Sequence, residues 1–150
     1  MLFYSNPAQY ALRSVSNIVL NKKGTPCQAE VIARQEDIPK YYLSKLLKKL
    51  VEKNILKSVK GPGGGFVLAK DPKEITLMDI IKVFDDIEGA LGVCSIGWAK
   101  CSDDHPCPLH PHFKKLREAI RSFLESVDIA VFAEVEKFKK KKQKTLNRST

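Results

Sequence analysis

Between residues 39 and 68 the hydrophobic period of the chain changes once, and that change limits the fold more than any other feature. Up to Asn54 the period is helical. Pro39 opens a segment in which Leu43, Leu46, Leu47 and Leu50 fall at i, i+3, i+4 and i+7. After Asn54 come two short extended runs, "ILKSVK" and "FVLA", separated only by "GPGGG" at 61–65. Glycine supplies the positive φ that a tight reversal needs and proline fixes its neighbour, so the two runs read as a β-hairpin. A P-loop is excluded, because the glycines lack the Gly-Lys-Ser/Thr ending and lie between strands rather than before a helix.

The flanking segments complete the pattern. Asn6 and Pro7 read as a cap and helix opener, followed by Ala8, Ala11, Leu12, Val15 and Val19 at helical spacing to about Asn21. "TPCQ" (25–28) has the form of a capping box and predicts a short second helix through about Gln35. "TLMD" (76–79) repeats the signature and opens a fourth helix to about Asp86. The expected fold class is therefore mainly α with a small β-hairpin wing, a winged helix-turn-helix. A segment rich in Gly and Pro (87–111) reads as a loop. From His112 one long helix is expected, with Phe113, Leu116, Ile120, Phe123, Val127 and Val131 along one side and Ile129 and Phe132 on a second.

Charge is segregated along this framework. The net charge is +9, but seven positive charges lie in the acid-free tail "KFKKKKQKTLNRST" (137–150), which reads as a solvated, disordered extension and leaves only +2 for the rest. Within the rest, residues 40–60 are net +6 and residues 71–90 net −4. With the leucines of the third helix turned inward, Tyr41, Lys45 and Lys48 point outward, flanked by Ser44 and Lys49. Lysine-rich faces are often merely solvated. Here a short helix precedes the face, and a wing carrying Lys57, Lys60, Gly63 and Gly64 follows it, so the expected partner is double-stranded DNA. No apolar run approaches the roughly 18 residues of a membrane span. The first residues do not resemble a secretory leader, so a cytoplasmic location with reduced thiols is expected.

Three of the four cysteines stand in "CSIGWAKCSDDHPCPLH" (94–110), spaced C-x6-C-x5-C-x2-H. Reduced surroundings disfavour a disulfide. Thiolates with one imidazole suit zinc or an iron–sulfur centre, and metal-free cysteines remain the alternative. Any metal is expected to be the only strong organiser of the stretch from Gly92 to Pro108. Cys27 reads as a small buried apolar residue. An enzyme is not expected: no partnering motif accompanies the thiols, and once the helix-turn-helix and long helix are placed no residues remain for a substrate domain.

"YALRSV", "YYLSKLLKKLVEKNILKSVKGPGGGFVLAK", "EITLMDIIKVFD" and the three-cysteine loop together resemble the Rrf-two family of bacterial winged-helix transcription regulators, the IscR/NsrR group. The resemblance implies a homodimeric regulator, expected to be a repressor, that binds a palindromic operator with the third helix in the major groove and the wing in the minor groove. It implies four regions: a DNA-binding domain (1–86), a cluster-binding loop (87–111), a dimerisation helix (112–136) and the basic tail (137–150). It further implies an iron–sulfur cluster on Cys94, Cys101 and Cys107 that senses redox state, nitric oxide or iron and cluster supply. His110 stands where the IscR-type proteins place a fourth ligand to a 2Fe–2S cluster. The 4Fe–4S arrangement takes its fourth ligand from the partner's first helix, where this chain offers only Gln9, so 2Fe–2S is favoured. His105 and Asp103 are outside candidates. The alternative is a zinc-bound or metal-free regulator responding to a partner protein or to thiol oxidation.

Overall fold

The structure is a computed structural model that describes residues 4–146, with side chains described to residue 138. Helix α1 (Asn6–Leu20) is capped one residue earlier than expected, by Ser5, whose hydroxyl accepts the Ala8 amide at 3.4 Å. Helices α2 (Ala29–Glu36) and α3 (Lys40–Glu52) are joined by a tight turn through Asp37, a non-glycine residue at φ 54°. Leu43, Leu46, Leu47 and Leu50 are all buried, as their spacing predicts. Asn54 reverses the chain at φ 56°, and the Ile55 amide bonds back to the Leu50 carbonyl at 3.0 Å. Strands β1 (Leu56–Val59) and β2 (Gly65–Leu68) then pair antiparallel, with Leu56 opposite Leu68 and Val59 opposite Gly65.

The hairpin acquires a third rung from a segment expected to be helical. "TPCQ" does not open α2, whose N-cap is Gln28 without a side-chain bond. Instead Cys27 runs extended beside β2 and exchanges two backbone bonds with Phe66, at 2.9 and 2.8 Å. Pro26 disfavours helical backbone at Thr25, and the open edge of the hairpin supplies the partner. Gly65 makes this approach possible. It sits at φ 152°, and a Cβ there would lie 2.4 Å from the Cys27 carbonyl oxygen.

A single 3-10 turn (Pro72–Glu74) leads to α4 (Leu77–Ile81), opened by the expected capping box: the Asp79 amide bonds Thr76 Oγ1 at 3.2 Å and the Thr76 amide bonds Asp79 Oδ2 at 3.1 Å. Helix α4 stops well before Asp86. The following stretch is not all loop, because Asp86 caps a further helix, α5 (Ile87–Gly92), by accepting the Gly89 amide at 2.9 Å.

The long C-terminal helix is two helices, α6 (His110–Ser126) and α7 (Ile129–Leu146). At the break, backbone groups leave the helical ladder for the segment before α4. The Leu77 amide bonds the Val127 carbonyl at 2.9 Å and the Ile129 amide bonds the Ile75 carbonyl at 2.8 Å. Asp128 recaps the chain through the Val131 amide at 2.9 Å. Helix α7 continues past residue 137 to Leu146, so backbone expected to be disordered is helical there. The tail residues 147–150 lie outside the described residues.

One core joins all these elements. Ala8, Leu12 and Val15 of α1 meet Leu43, Leu47 and Leu50 of α3, Ile80 and Ile81 of α4, Ile120 and Leu124 of α6, and Ile129 of α7. Each fully buried aliphatic side chain contributes about 1.5–3 kcal/mol. A buried polar set ties α2 to α1: the Glu36 carboxylate accepts from Arg13 Nε at 3.2 Å and Asn17 Nδ2 at 2.9 Å, and Arg13 also donates to the Glu36 carbonyl. Among the described residues no helix is long and apolar enough to cross a membrane.

Candidate metal centre and nucleic-acid interface

The outward face of α3 carries Tyr41, Lys45 and Lys48, with Ser44 and Lys49 on its flanks. Tyr41 is 76% exposed, and Lys45 lays its ammonium 4.4 Å from the centre of the Tyr41 ring. Lys48 is exposed beside them. Ser44, by contrast, donates its hydroxyl to the Lys40 carbonyl at 2.9 Å, and Lys49 turns toward the Phe84 ring at 5.9 Å, away from Tyr41 and Lys45. Lys40, which the outward-face reading passed over, is paired with Glu30 at 3.0 Å. In the wing, Lys57 and Lys60 are exposed. Gly63, at the hairpin tip, stands in open space at φ 72°. Gly64 is packed so closely that a Cβ would fall 2.2 Å from the Val59 carbonyl oxygen. The resulting surface presents several exposed cations around one aromatic group, a form suited to phosphates with a nearby base edge.

The cysteine segment is gathered between α5 and α6. Cys94 follows α5, and a turn at Gly97, φ 80°, folds the chain back with its amide on the Cys94 carbonyl at 3.0 Å. Cys107 is buried at the start of α6, where its carbonyl accepts the His110 amide at 2.9 Å. The sulfurs of Cys94, Cys101 and Cys107 all lie within 4.8 Å of one another. His110 is also buried, with Nδ1 3.0 Å from Cys101 Sγ and Nε2 3.1 Å from Asp103 Oδ1. Three of the predicted donors, the cysteine sulfurs, are therefore brought to one place, and His110 stands at its edge, against Cys101. Cys27 lies apart from them against the wing, and burial raises its thiol above the ordinary range.

The loop has organisers besides any metal, contrary to the expectation from sequence. Lys114 donates to both oxygens of Asp103, at 2.9 and 2.7 Å. Arg117 donates to the Val93 carbonyl at 2.5 Å while its guanidinium covers the Phe113 ring at 4.6 Å. Arg121 grips Glu88 through two bonds, at 3.2 and 2.6 Å. His110, Lys114, Arg117 and Arg121 fall at i, i+4, i+7 and i+11, one face of α6. That spacing was present in the sequence, but nothing local says that residues 88–103 fold back onto it.

Electrostatics distinguish the sulfurs. The backbone amide of Ile96, with that of Trp98 and the neighbouring thiols, lowers Cys94 to about 7 against the opposing effect of desolvation. For Cys101, the Cys107 amide pulls downward, but desolvation and the adjacent sulfurs of Cys107 and Cys94 outweigh it and leave the thiol raised. Asp103 is held below the usual carboxylate range by Lys114 first and His110 second. A cluster with one readily formed thiolate and an imidazole beside it is a soft donor set for a transition metal.

Comparison with known proteins adds three kinds of likeness. The family model described as Rrf2, iron-dependent transcriptional regulator, matches residues 4–134. A protein of Aquifex aeolicus named as an HTH-type transcriptional regulator is 34% identical over 90% of this chain and 94% of its own. The regulator IscR of Klebsiella pneumoniae is 27% identical over 83% of this chain and 76% of its own. Among solved structures, CymR of B. subtilis, described as its global cysteine regulator, superposes with a TM-score of 0.74 at 24% identity, covering 90% of this chain and 98% of that one. T. potens IscR does so at 0.68 and 22%, covering 88% and 86%. At these identities the two structures speak for the fold alone.

Proposed function

The chain belongs to the Rrf2 family of transcription regulators, and we propose that it acts as a homodimer whose affinity for a palindromic operator is set by an iron–sulfur cluster. It is a regulator and not an enzyme. Convergence of three sulfurs within 4.8 Å, with the His110 imidazole touching one of them, carries the reading. The donor set fits. Soft thiolates and one neutral imidazole are ligands of iron–sulfur centres, and Cys94, Cys101, Cys107 and His110 would hold the group. A bound cluster supplies a redox- and nitric-oxide-reactive centre at the joint between the winged helix and α6. The likeness to IscR favours 2Fe–2S. Gln9, the residue a 4Fe–4S arrangement would need from the first helix, is occupied with Asn6 at 3.3 Å and is a poor ligand in any case.

The residues then act as a chain of restraint. Cys94 and Cys101 fasten the loop, Arg121 and Arg117 fasten it to α6, and α6 meets α4 of the winged helix through Ile120 and Leu124. Exposed Leu116 and Phe123 on α6, with Val131 and Val135 on α7, form the surface proposed to meet the second subunit, within the proposed dimerisation region 112–136. Release of the loop alters the tilt of α6 in the dimer and so the spacing of the two α3 helices, which are proposed to read the major groove while the wings enter the minor groove. Tyr41, Lys45, Lys48, Lys57 and Lys60 are the proposed contacts, the protein acting as a repressor in the cytoplasm.

The close spacing of the sulfurs favours one second reading, a single zinc ion: thiolates on one tetrahedral ion with bonds of about 2.3 Å stand about 3.8 Å apart. Anaerobic purification followed by iron, sulfide and zinc analysis separates the two. Stoichiometric iron and sulfide that vanish in Cys101→Ala support the cluster. Stoichiometric zinc without iron refutes it.

A further inference from the structure

Resting on the reading that Cys94, Cys101, Cys107 and His110 form a metal site, we infer that Asp103, steadied by Lys114, is the positioning residue that fixes which nitrogen of His110 faces the sulfurs. The two ring nitrogens of His110 have different neighbours: Nδ1 faces Cys101 Sγ at 3.0 Å, and Nε2 faces Asp103 Oδ1 at 3.1 Å. Both Asp103 oxygens accept from Lys114, so Oδ1 faces Nε2 as an acceptor; in a neutral ring Nε2 then carries the proton and Nδ1 turns its lone pair toward Cys101 Sγ. The same pair of bonds from Lys114, at 2.9 and 2.7 Å, holds Oδ1 in line with the imidazole. Asp103 and Lys114 are themselves well exposed, and a surface ion pair contributes little to stability. The consequence of the arrangement lies in the buried imidazole it orients. Carboxylates that accept from the far nitrogen of a ligating histidine fix its tautomer and raise its donor strength, and losing one typically lowers metal affinity about 10–100-fold.

The full chain, reduced and stripped of metal, is labelled with 15N-histidine, and long-range nitrogen–proton correlation spectra give the His110 tautomer. Cobalt(II) alone then serves as the metal probe through its thiolate charge-transfer and d–d bands. Wild type is expected to hold the Nε2–H tautomer. Asp103→Ala should give a mixture of tautomers and a cobalt affinity about 10–100-fold weaker, with unchanged thiolate charge-transfer intensity per bound cobalt. Asp103→Asn keeps an acceptor oxygen and should restore the Nε2–H form at least in part, whereas Lys114→Met should weaken both effects of the carboxylate without abolishing them. An Nδ1–H tautomer in wild type overturns the assignment, as does a tautomer or cobalt affinity that Asp103→Ala leaves unchanged. The underlying reading fails differently. A wild-type protein that takes cobalt but assembles no cluster from iron and sulfide refutes the cluster and leaves the role of Asp103 standing, and one that takes no cobalt refutes both.

Discussion

Replacing Gly65 by alanine tests how the wing is attached. The added Cβ would lie 2.4 Å from the Cys27 carbonyl oxygen and 2.5 Å from its carbon, both backbone atoms that no rotamer can move, on a residue held at φ 152°. Relief therefore requires Cys27 and β2 to separate, which breaks the two bonds between Cys27 and Phe66. Two backbone hydrogen bonds are worth about 1–3 kcal/mol together, and forcing a side chain into this backbone region costs about 1–3 kcal/mol. The expected loss is about 3 kcal/mol, or about 6–12 °C in Tm at this chain length. Gly63→Ala is the control, because its Cβ meets nothing within 4 Å and only its φ of 72° is unfavourable. Thermal and urea unfolding at one fixed protein concentration, followed by circular dichroism, measure both. A Gly65→Ala protein within about 0.5 kcal/mol of wild type, or no less stable than Gly63→Ala, would refute the reasoning.

On DNA, Lys45→Ala/Lys48→Ala should weaken binding to specific and random duplexes alike and reduce the slope of log affinity against log salt by about 0.9 for each phosphate no longer neutralised. Unchanged affinity and slope would remove this face from the interface. Leu116→Glu/Phe123→Glu should convert the proposed dimer into a folded monomer at micromolar concentration by sedimentation velocity, because both side chains are about half exposed in the single chain. A dimer that survives both charges has its interface elsewhere. In metal-free protein the thiolate is the reactive form, so alkylation of Cys94 should rise through pH 7 and level off above it, whereas Cys101 should need more alkaline solution. Peptide mapping that finds Cys101 modified first would contradict the assigned order.

What the sequence disclosed, and what it hid, divides by the reach of the interactions. The leucine stripe of α3 and the Thr76–Asp79 box are decided within one turn of helix, and both stand as their residues predict. "TPCQ" satisfies the same local rule, yet a distant strand edge took the segment, because two bonds to Phe66 were available to an extended chain. The break between α6 and α7 left no trace in the apolar spacing, which continues across Val127 while the backbone at 127 and 129 turns to Ile75 and Leu77. Helix α5 was obscured by Gly89 and Gly92, residues that read as breakers but are tolerated behind a good Asp86 cap. At the metal centre the donors were legible from residue type and spacing. The partners that orient them were not, since Lys114 and Asp103 meet only after the loop has folded back on α6.

The return of α7 across α1 has a consequence for the order in which the protein can be made. Ile129 and Ala133 are fully buried, and Ser16 of α1 donates to Glu136, so α1 is completed by an element synthesised 120 residues after it. A growing chain that has emerged only as far as the wing holds α1 with an uncovered apolar flank where α7, with Ile129 and Ala133, will later sit. Domains are synthesised from their N-termini at about 5–20 residues per second, so that flank waits several seconds for its cover. A chain stopped after Ser126 should therefore be a client for chaperones or proteases rather than a small DNA-binding protein, and the pace of translation through the second half of the message sets how long that exposure lasts.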